Sequence, residues 1–220
     1  MRGTWLLLEA IRHAGSVRSV VVASSEKAYG EPVALPYLEI HPLHAHFPYA
    51  VSKACADLIA QSYAATYQLP IAITRCSNVY SGGDLSWDRL LPGTIRSVIH
   101  GERPIIRSDG SFKRDYLYVA DAVEAYLTLA EQAAEPEVCG RPFNFGVGSP
   151  ASALEVVETV IAVSDTPNLA PVILDKVTNE IQDEYLNPQR AMDILGWQPQ
   201  YSLEQGVIES MAWYRRYLAH

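Results

Sequence analysis

Apolar residues in the segment 49–67 recur at the spacing of one helix face. The positions are Val51, Ala54, Cys55 and Leu58, at i, i+3, i+4 and i+7, with Ile59 and Tyr63 beside them. Upstream, we predict a helix through His13, a stop at Gly15 and a strand over residues 18–23. A second β-rich run follows at 71–80. This order of strand, helix and strand predicts an α/β protein with a parallel sheet.

Beyond residue 82 the pattern becomes mixed. We predict a helix near 89–100 and a short strand near 104–107, followed by further strand and helix signals up to the C terminus. Ser152 and Glu155 have the spacing of a capping box at the start of one of these helices. No flexible linker separates the two parts of the chain, so we expect them to pack closely.

The composition restricts the class of function. About half of the 220 residues are hydrophobic and 19% are charged, which is ordinary for a soluble globular protein. A formal charge of −8 argues against a nucleic-acid partner. Three widely spaced cysteines and six histidines show no metal spacing and no disulfide framework, which favours a cytoplasmic setting without a metal. No apolar run has membrane-spanning length, and we expect no membrane association.

The first chemical signal is Tyr49-x-x-x-Lys53, whose side chains lie on one face of the predicted helix. An ammonium group beside a phenol stabilises the phenolate, so the tyrosine can act as a base near neutral pH. Taken alone, such a pair is much more often an exposed i,i+4 contact at a helix start. The motif becomes informative only through the segments that surround it.

Several such segments occur in order along the chain. They are Ser24-Ser25 at the strand end, "RCSNVYSGG" (75–83), "KRDYLYVADAVEAY" (113–126), "FNFGVGS" (143–149) and "LGWQPQYSLEQGV" (195–207). Together with Tyr49-x-x-x-Lys53, they make essentially the whole chain resemble the extended short-chain dehydrogenase/reductase family. The resemblance implies the C-terminal part of a doubly wound parallel sheet of Rossmann type, followed by a small mixed substrate-binding domain. It also implies NAD as the cofactor and a nucleotide-sugar as the substrate.

On this resemblance, residues 1–82 form an incomplete dinucleotide-binding domain that carries the catalytic residues. Residues 83–220 are mainly the sugar-nucleotide-binding domain, with some segments returning to the first. Tyr49 and Lys53 are implied to be catalytic and to contact the cofactor.

The triplet Ser25-Glu26-Lys27 separates branches of the family. Sugar-nucleotide 4,6-dehydratases have a hydroxyl, an acid and a base in succession here, commonly Thr-Asp-Glu, whereas 4-epimerases have small or neutral residues after the hydroxyl. A Ser-Asp-Lys version resembles the CDP-glucose 4,6-dehydratase branch, and Glu26 is one methylene longer than that aspartate. The triplet therefore predicts a 4,6-dehydratase, with CDP-glucose as the first substrate to test and a 4-epimerase as the alternative.

The implied reaction assigns a role to each of these residues. Tyr49 takes the proton of the sugar 4-hydroxyl, with the Ser25 hydroxyl bonded to the same oxygen, while a hydride leaves C4. Lys27 then takes the C5 proton and Glu26 protonates the departing 6-hydroxyl. A lysine serves as a base only where burial or a neighbouring cation lowers its pKa. Without the flanking motifs, Glu26 and Lys27 would be a solvated pair in a turn.

Phosphate ligands are predicted among the arginines, because a guanidinium fork matches phosphate oxygens. Arg107 and Arg114 are the main candidates for the pyrophosphate, Arg190 is a weaker one, and Asn78 is expected to add a hydrogen bond. Isolated surface arginines are more often simply solvated, so this assignment depends on the motifs around them.

The chain has no Gly-x-x-Gly-x-x-Gly turn for a dinucleotide pyrophosphate. By comparison with the family, we expect the sequence to be N-terminally truncated and these 220 residues alone to bind a sugar nucleotide but not to turn it over. A different class of function is a non-catalytic remnant or one part of a split enzyme, acting through association. For the intact enzyme we expect a homodimer formed through helices 4–13 and 49–67.

Overall fold

The elements below come from a computed structural model that describes residues 1–32, 34–176 and 180–219. The helices are α1 (Arg2–Ala14), α2 (Pro48–Tyr67), α3 (Leu90–Ile99), α4 (Val119–Gln132), α5 (Ala153–Ala162) and α6 (Leu203–Leu218). The strands of the first half are β1 (Val20–Ala23), β2 (Ile71–Cys76), β3 (Asn78–Tyr80), β4 (Ile105–Ile106) and β5 (Lys113–Arg114). The later strands are β6 (Tyr116–Tyr118), β7 (Pro142–Phe145), β8 (Ala151–Ser152), β9 (Val172–Ile173) and β10 (Asp183–Glu184). A 3-10 turn spans Glu26–Tyr29 and a π-helix spans Ala191–Leu195.

The main sheet has the parallel order β1-β2-β7. Strand β2 is buried along its whole length, and alternate residues face opposite sides. Helices α1 and α2 cover one side, packing against Ile71 and Ile73, while helix α4 packs on the other side, where Ala72 contributes to the core. Helices on both faces of a parallel sheet confirm the predicted α/β class.

Strand β7 comes from the later part of the chain and pairs with the central strand, from Ile73 opposite Pro142 to Cys76 opposite Phe145. A segment beyond residue 82 therefore joins the sheet that carries the strand-end serines. The division into domains 1–82 and 83–220 stays a prediction.

The remaining elements form a second core. Helices α3, α5 and α6 pack on one another around buried aliphatic and aromatic side chains. Short strands of two residues lie beside them, as the pair β4–β9 and the three-stranded sheet β10-β5-β8. Among the described helices, none is both long enough and apolar enough to cross a bilayer.

The predicted helix boundaries follow from local signals. Helix α1 ends at Gly15, which has a φ of 63° and donates its N–H to the Ile11 carbonyl at 3.2 Å. The Ser152–Glu155 capping box is present, with bonds of 3.1 and 2.7 Å. The first strand begins at Val20 instead of residue 18, because its partner strand begins opposite, at Ile71.

The predicted buried face of helix α2 is partly wrong. Leu58 is 56% exposed, whereas Ala54, Asp57, Ala60 and Ala64 are buried. Small alanine side chains let the helix lie close to the sheet, and a charged residue occupies the centre of that face. Apolar periodicity alone placed the stripe about one residue away from the true contact.

Asp57 belongs on this face because it binds Arg75 of strand β2. Its two carboxylate oxygens accept from Nε at 2.8 Å and from Nη2 at 3.1 Å, and both side chains are almost fully buried. Burial alone would lower the pKa of Arg75, but its bonds to Asp57 and Tyr29 outweigh this effect and raise the pKa. The guanidinium also lies over the Tyr29 ring, 4.8 Å from its centre.

We expect Asp57→Ala to lower the free energy of unfolding by about 3–5 kcal/mol, because it leaves a buried guanidinium without its carboxylate. Urea denaturation at neutral pH measures the change. The matched control is Asp165→Ala, which breaks the exposed pair with Arg215 (2.7 Å, with the Asp165 side chain 86% exposed). That change should cost no more than about 1 kcal/mol. Equal losses in the two variants would contradict the structural role given to Asp57.

Candidate active site

A cleft of about 1250 Å³ opens where strand β1 ends, at the carboxyl edge of the sheet. Ligands of doubly wound proteins bind at this edge. The predicted site residues that line the cleft are Ser25, Glu26, Lys27, Tyr49, Lys53, Asn78, Arg107 and Arg114. Arg190 is not among the lining residues; it donates to the Pro142 carbonyl at 3.2 Å and faces Glu39 at 3.7 Å. The structure therefore brings together all the predicted site residues except Arg190.

Glu26 and Lys27 are presented by the 3-10 turn that follows strand β1. The Ser25 hydroxyl caps the turn by accepting the Lys27 N–H at 3.2 Å, which leaves its own hydrogen available for a substrate oxygen. The turn ends at Gly30, where φ is 73° and a Cβ atom would overlap the main-chain oxygen of His44. The chain can leave the turn in this direction only with glycine at that position.

Tyr49 and Lys53 enter the cleft from the first turns of helix α2. The Lys53 ammonium donates to the Ala23 carbonyl at 3.1 Å and lies 5.9 Å from the centre of the Tyr49 ring. Tyr49 is 58% exposed, so its hydroxyl is open to a ligand. The contact with Ala23 joins the helix start to the end of strand β1 and fixes Lys53 at the strand end.

Glu26 is an acid in an unusual environment. Its side chain is 1% exposed, and Oε1 accepts from Asn78 Nδ2 at 2.9 Å, while Oε2 has no hydrogen-bond partner among the described residues. Burial raises its pKa to about 8, helped by the charges of Glu184 and Asp115, although Lys27 opposes the shift. At neutral pH the carboxyl therefore carries a proton that it can donate.

Sequence reasoning missed Glu184. Its buried carboxylate forms ion pairs with the Lys27 ammonium and, at 3.3 Å, with Arg114 Nε. No sequence signal marks this residue, since it lies in a two-residue strand 157 positions away from Lys27. Only the pairing of strand β10 with strand β5 brings it to the site.

Two predicted phosphate ligands are engaged within the protein. Asn78 gives its amide hydrogens to Glu26 at 2.9 Å and to the Asp115 carbonyl at 3.3 Å. Arg114 makes the following contacts: Nη1 with the carbonyls of Lys113 and Gln182, Nη2 with Glu180 and the Ile181 carbonyl, and Nε with Glu184. Arg107 differs from both, because it is exposed on the cleft wall.

The comparison with known proteins agrees with this architecture. The chain matches the NAD dependent epimerase/dehydratase family over residues 1–146. The protein belongs to the NAD-dependent epimerase/dehydratase family. This confirms the resemblance drawn from the motifs, and NAD as the cofactor of the family.

Curated relatives of this family member include two kinds of enzyme. The dTDP-D-glucose 4,6-dehydratase of Mus musculus is 30% identical over 217 residues, covering 97% of this chain and 60% of the mouse protein. The UDP-glucose 4-epimerase of Mycolicibacterium smegmatis is 30% identical over 220 residues, covering 97% of this chain and 67% of that protein. The chain spans 60–61% of the length of the mouse, human and bovine dehydratases.

Solved structures give the same two classes. The dTDP-glucose 4,6-dehydratase of Bacillus anthracis, in complex with NAD, has a TM-score of 0.82 at 29% identity, over 97% of this chain and 66% of that one. The UDP-glucose 4-epimerase of Thermotoga maritima, with UDP-glucose, has a TM-score of 0.86 at 27% identity, over 98% and 69%. These likenesses confirm the Rossmann-type fold.

Two residues of the cleft, Tyr49 and Lys53, have the chemistry to bind a nicotinamide ribose. Lys53 and Tyr49 offer an ammonium and a phenol side by side at the end of strand β1, and these donors match the hydroxyls of a ribose. Their exposure to the cleft leaves room for such a ligand.

In the wild-type protein, the free energy of unfolding should fall as the pH rises, because Glu26 keeps its proton in the fold. We expect Glu26→Gln to abolish this part of the pH dependence. The carboxyl has an ordinary pKa of 4.5 and a pKa of about 8 in the fold, so the unfolded chain releases this proton first. The free energy of unfolding of the wild type should then fall, relative to the variant, by about 1.4 kcal/mol per pH unit between these two values.

Urea denaturation of both proteins from pH 5 to pH 9 gives the difference curve, in which titrating groups that do not interact with Glu26 cancel. The exposed Glu158→Gln is the matched control and should leave the pH dependence unchanged. A flat difference curve for Glu26→Gln would show that Glu26 is ionised in the folded protein.

Proposed function

We propose that this protein acts as an NAD-dependent sugar-nucleotide 4,6-dehydratase, with CDP-glucose as the first substrate to test. The observation that carries the proposal is Glu26, a buried carboxyl that holds its proton at neutral pH beside the Lys27 ammonium, 3.6 Å away. Elimination of water needs a proton donor for a poor leaving group, and a carboxyl with a raised pKa supplies one. A 4-epimerase removes and returns a hydride and a hydroxyl proton at C4, and it has no leaving group for such an acid to protonate.

The first step is oxidation at C4. Bound NAD would accept the hydride from C4 and later return it to C6. Tyr49 takes the proton of the 4-hydroxyl, assisted by the Lys53 ammonium, which stabilises the phenolate. The free hydrogen of Ser25 is directed to the same substrate oxygen.

The second step is elimination across C5–C6. Lys27, once its ammonium has given one proton to solvent water, takes the hydrogen at C5 as a proton, and the electrons of the C5–H bond form the C5=C6 double bond. The C6–O bond breaks, and its oxygen leaves as water with the proton of Glu26. The C5 proton returns when hydride reaches C6, so the product is a 4-keto-6-deoxy sugar. The ion pair between Lys27 and Glu184 must open before the amine can act as a base.

We propose Arg107 as the main ligand of the substrate pyrophosphate, because its side chain is exposed on the cleft wall. Arg114 can join it where a phosphate displaces Glu180, whose side chain is 51% exposed. Asn78 would hold Glu26 in place, and Arg190 lies outside the cleft.

A 4-epimerase is the second candidate, supported by the 30% identity with the mycobacterial UDP-glucose 4-epimerase. Both candidates share the oxidation step through Tyr49. They differ in whether C6 keeps its oxygen, which makes the product the decisive observation.

We expect the protein, expressed from its complete reading frame, to convert CDP-glucose with NAD to a product lighter by one water, as measured by mass spectrometry. Glu26→Gln should lower the rate of water loss by about 10²–10⁴-fold, because the general acid is removed, while NADH formation at the C4 step persists. A galacto product that keeps its C6 oxygen would contradict the proposal and favour the epimerase. UDP- and dTDP-glucose, run in parallel, identify the nucleotide.

We also propose a homodimer through helices α1 and α2. Their outer surface exposes large apolar side chains: Trp5 at 48%, Leu6 at 47%, Leu7 at 58% and Leu58 at 56%. Large exposed apolar side chains on two neighbouring helices are typical of a protein contact.

Light scattering at micromolar concentration should give twice the monomer mass, and Leu58→Glu should shift the protein to monomer by placing a charge in the interface. Ile208→Glu on helix α6, where the side chain is 47% exposed, is the control and should leave the dimer intact. A wild-type monomer would contradict the proposal.

A further inference from the structure

The Lys27 ammonium lies between two carboxyl groups. On one side it pairs with Glu184, and on the other it is 3.6 Å from Glu26 Oε1. Glu184 is held in turn by Arg114 Nε at 3.3 Å. One cation is therefore shared between an acid that must keep its proton and a carboxylate that lies outside the cleft lining.

Other groups also act on Glu26. The charged or titratable neighbours, besides Lys27 and Glu184, are Asp115 and Arg114. Tyr37, Tyr116 and Cys76 are also within range, and burial raises the pKa of each of them, so they remain neutral. Asp115 is held by the Val147 and Gly148 N–H groups, and Arg114 by several carbonyls and carboxylates. The neighbouring charge that can move relative to Glu26 is therefore the Lys27 ammonium, which Glu184 holds.

An unpaired ammonium at this distance would favour the ionised form of Glu26, since an opposite charge within about 4–6 Å lowers a carboxyl pKa by about 1–3 units. A carboxylate on the far side of the ammonium cancels most of that field. Glu184 also fixes the direction of the Lys27 side chain, which is 31% exposed and otherwise free to turn.

We propose that Glu184 is a positioning residue that holds the Lys27 ammonium and thereby keeps Glu26 in its proton-carrying form. Glu184 is 2% exposed and does not line the cleft, so it acts through Lys27 and not on the substrate. The importance of this arrangement for catalysis rests on the proposed dehydratase function. The electrostatic arrangement itself can be tested without turnover.

The test is a carboxyl carbon-13 NMR titration of the 220-residue chain, with the Glu26 signal assigned by its absence in Glu26→Gln. Glu184→Gln should lower the Glu26 midpoint by about 1–3 pH units, because Lys27 is then free to pair with Glu26. The matched control is Glu180→Gln, which removes the same charge from the other carboxylate on Arg114, at 2.8 Å, without touching Lys27. The control should leave the midpoint nearly unchanged.

A Lys27→Met background shows whether Glu184 acts through Lys27. There, Glu184→Gln should shift the Glu26 midpoint by less than about half of its effect in the wild type, since only the direct repulsion between the carboxylates remains. Should Glu184→Gln fail to fold, as judged by circular dichroism, Glu184→Asp replaces it. The shorter side chain keeps the charge but withdraws from Lys27, and an intermediate downward shift is expected. An unchanged or raised midpoint, or equal shifts in Glu184→Gln and Glu180→Gln, would overturn the inference.

Activity then separates this inference from the proposed function. In an active dehydratase, Glu184→Gln should move the alkaline limb of the pH–rate profile for water loss downward by about as much as the Glu26 midpoint, because that limb reports the loss of the Glu26 proton. KM for the sugar nucleotide should stay nearly unchanged. A structural defect would lower the rate at every pH. If the NMR shift appears but no dehydrated product forms with wild-type protein, the proposed function fails while the role of Glu184 in holding Lys27 stands.

Discussion

The geometry of the site depends on one buried guanidinium, that of Arg75. It lies in the central strand of the sheet and binds Asp57 of helix α2 through two bonds of 2.8 and 3.1 Å. It also donates to the Tyr29 hydroxyl at 2.9 Å, and that hydroxyl donates to Asn144 in strand β7 at 2.7 Å. Helix α2 carries Tyr49, and the turn that ends at Tyr29 carries the acid and the lysine. A single side chain thus fixes Tyr49 and the turn with Glu26 and Lys27 relative to each other.

Two buried glutamates of the site, Glu184 and Glu26, lie in different electrostatic surroundings. Glu184 faces Lys27 and Arg114, which compensate for the cost of burying a negative charge. Glu26 is as deeply buried, but it has one amide donor and only a share in the Lys27 ammonium, so the neutral form prevails. Pairs of titratable groups with diverging environments are how proteins divide acid and base roles. The chain obtains both environments within one cluster because Lys27 is common to them.

Local signals predicted much of this fold. The stop at Gly15, the capping box at Ser152 and the extent of helix α2 follow from rules that act within a few residues. The buried face of that helix did not follow, because the Asp57–Arg75 pair overrides apolar periodicity. Glu184 could not be predicted for a related reason. It contacts a residue 157 positions away, and strands of only two residues bring the two together. Neither the composition nor the spacing of residues indicates such a contact.

The same limit explains why the Ser25-Glu26-Lys27 triplet alone does not decide the chemistry. In isolation, an adjacent glutamate and lysine would form a solvated pair with the carboxylate ionised and unable to donate a proton. Burial raises the pKa of Glu26, whereas the Lys27 ammonium lowers it. Glu184, which is distant in the sequence, pairs with that ammonium and so limits its effect on Glu26. The strand-end turn supplies the groups, but the later part of the chain determines their charge states. A turn with these residues would gain the acid function only in a fold that brings such a carboxylate behind the lysine.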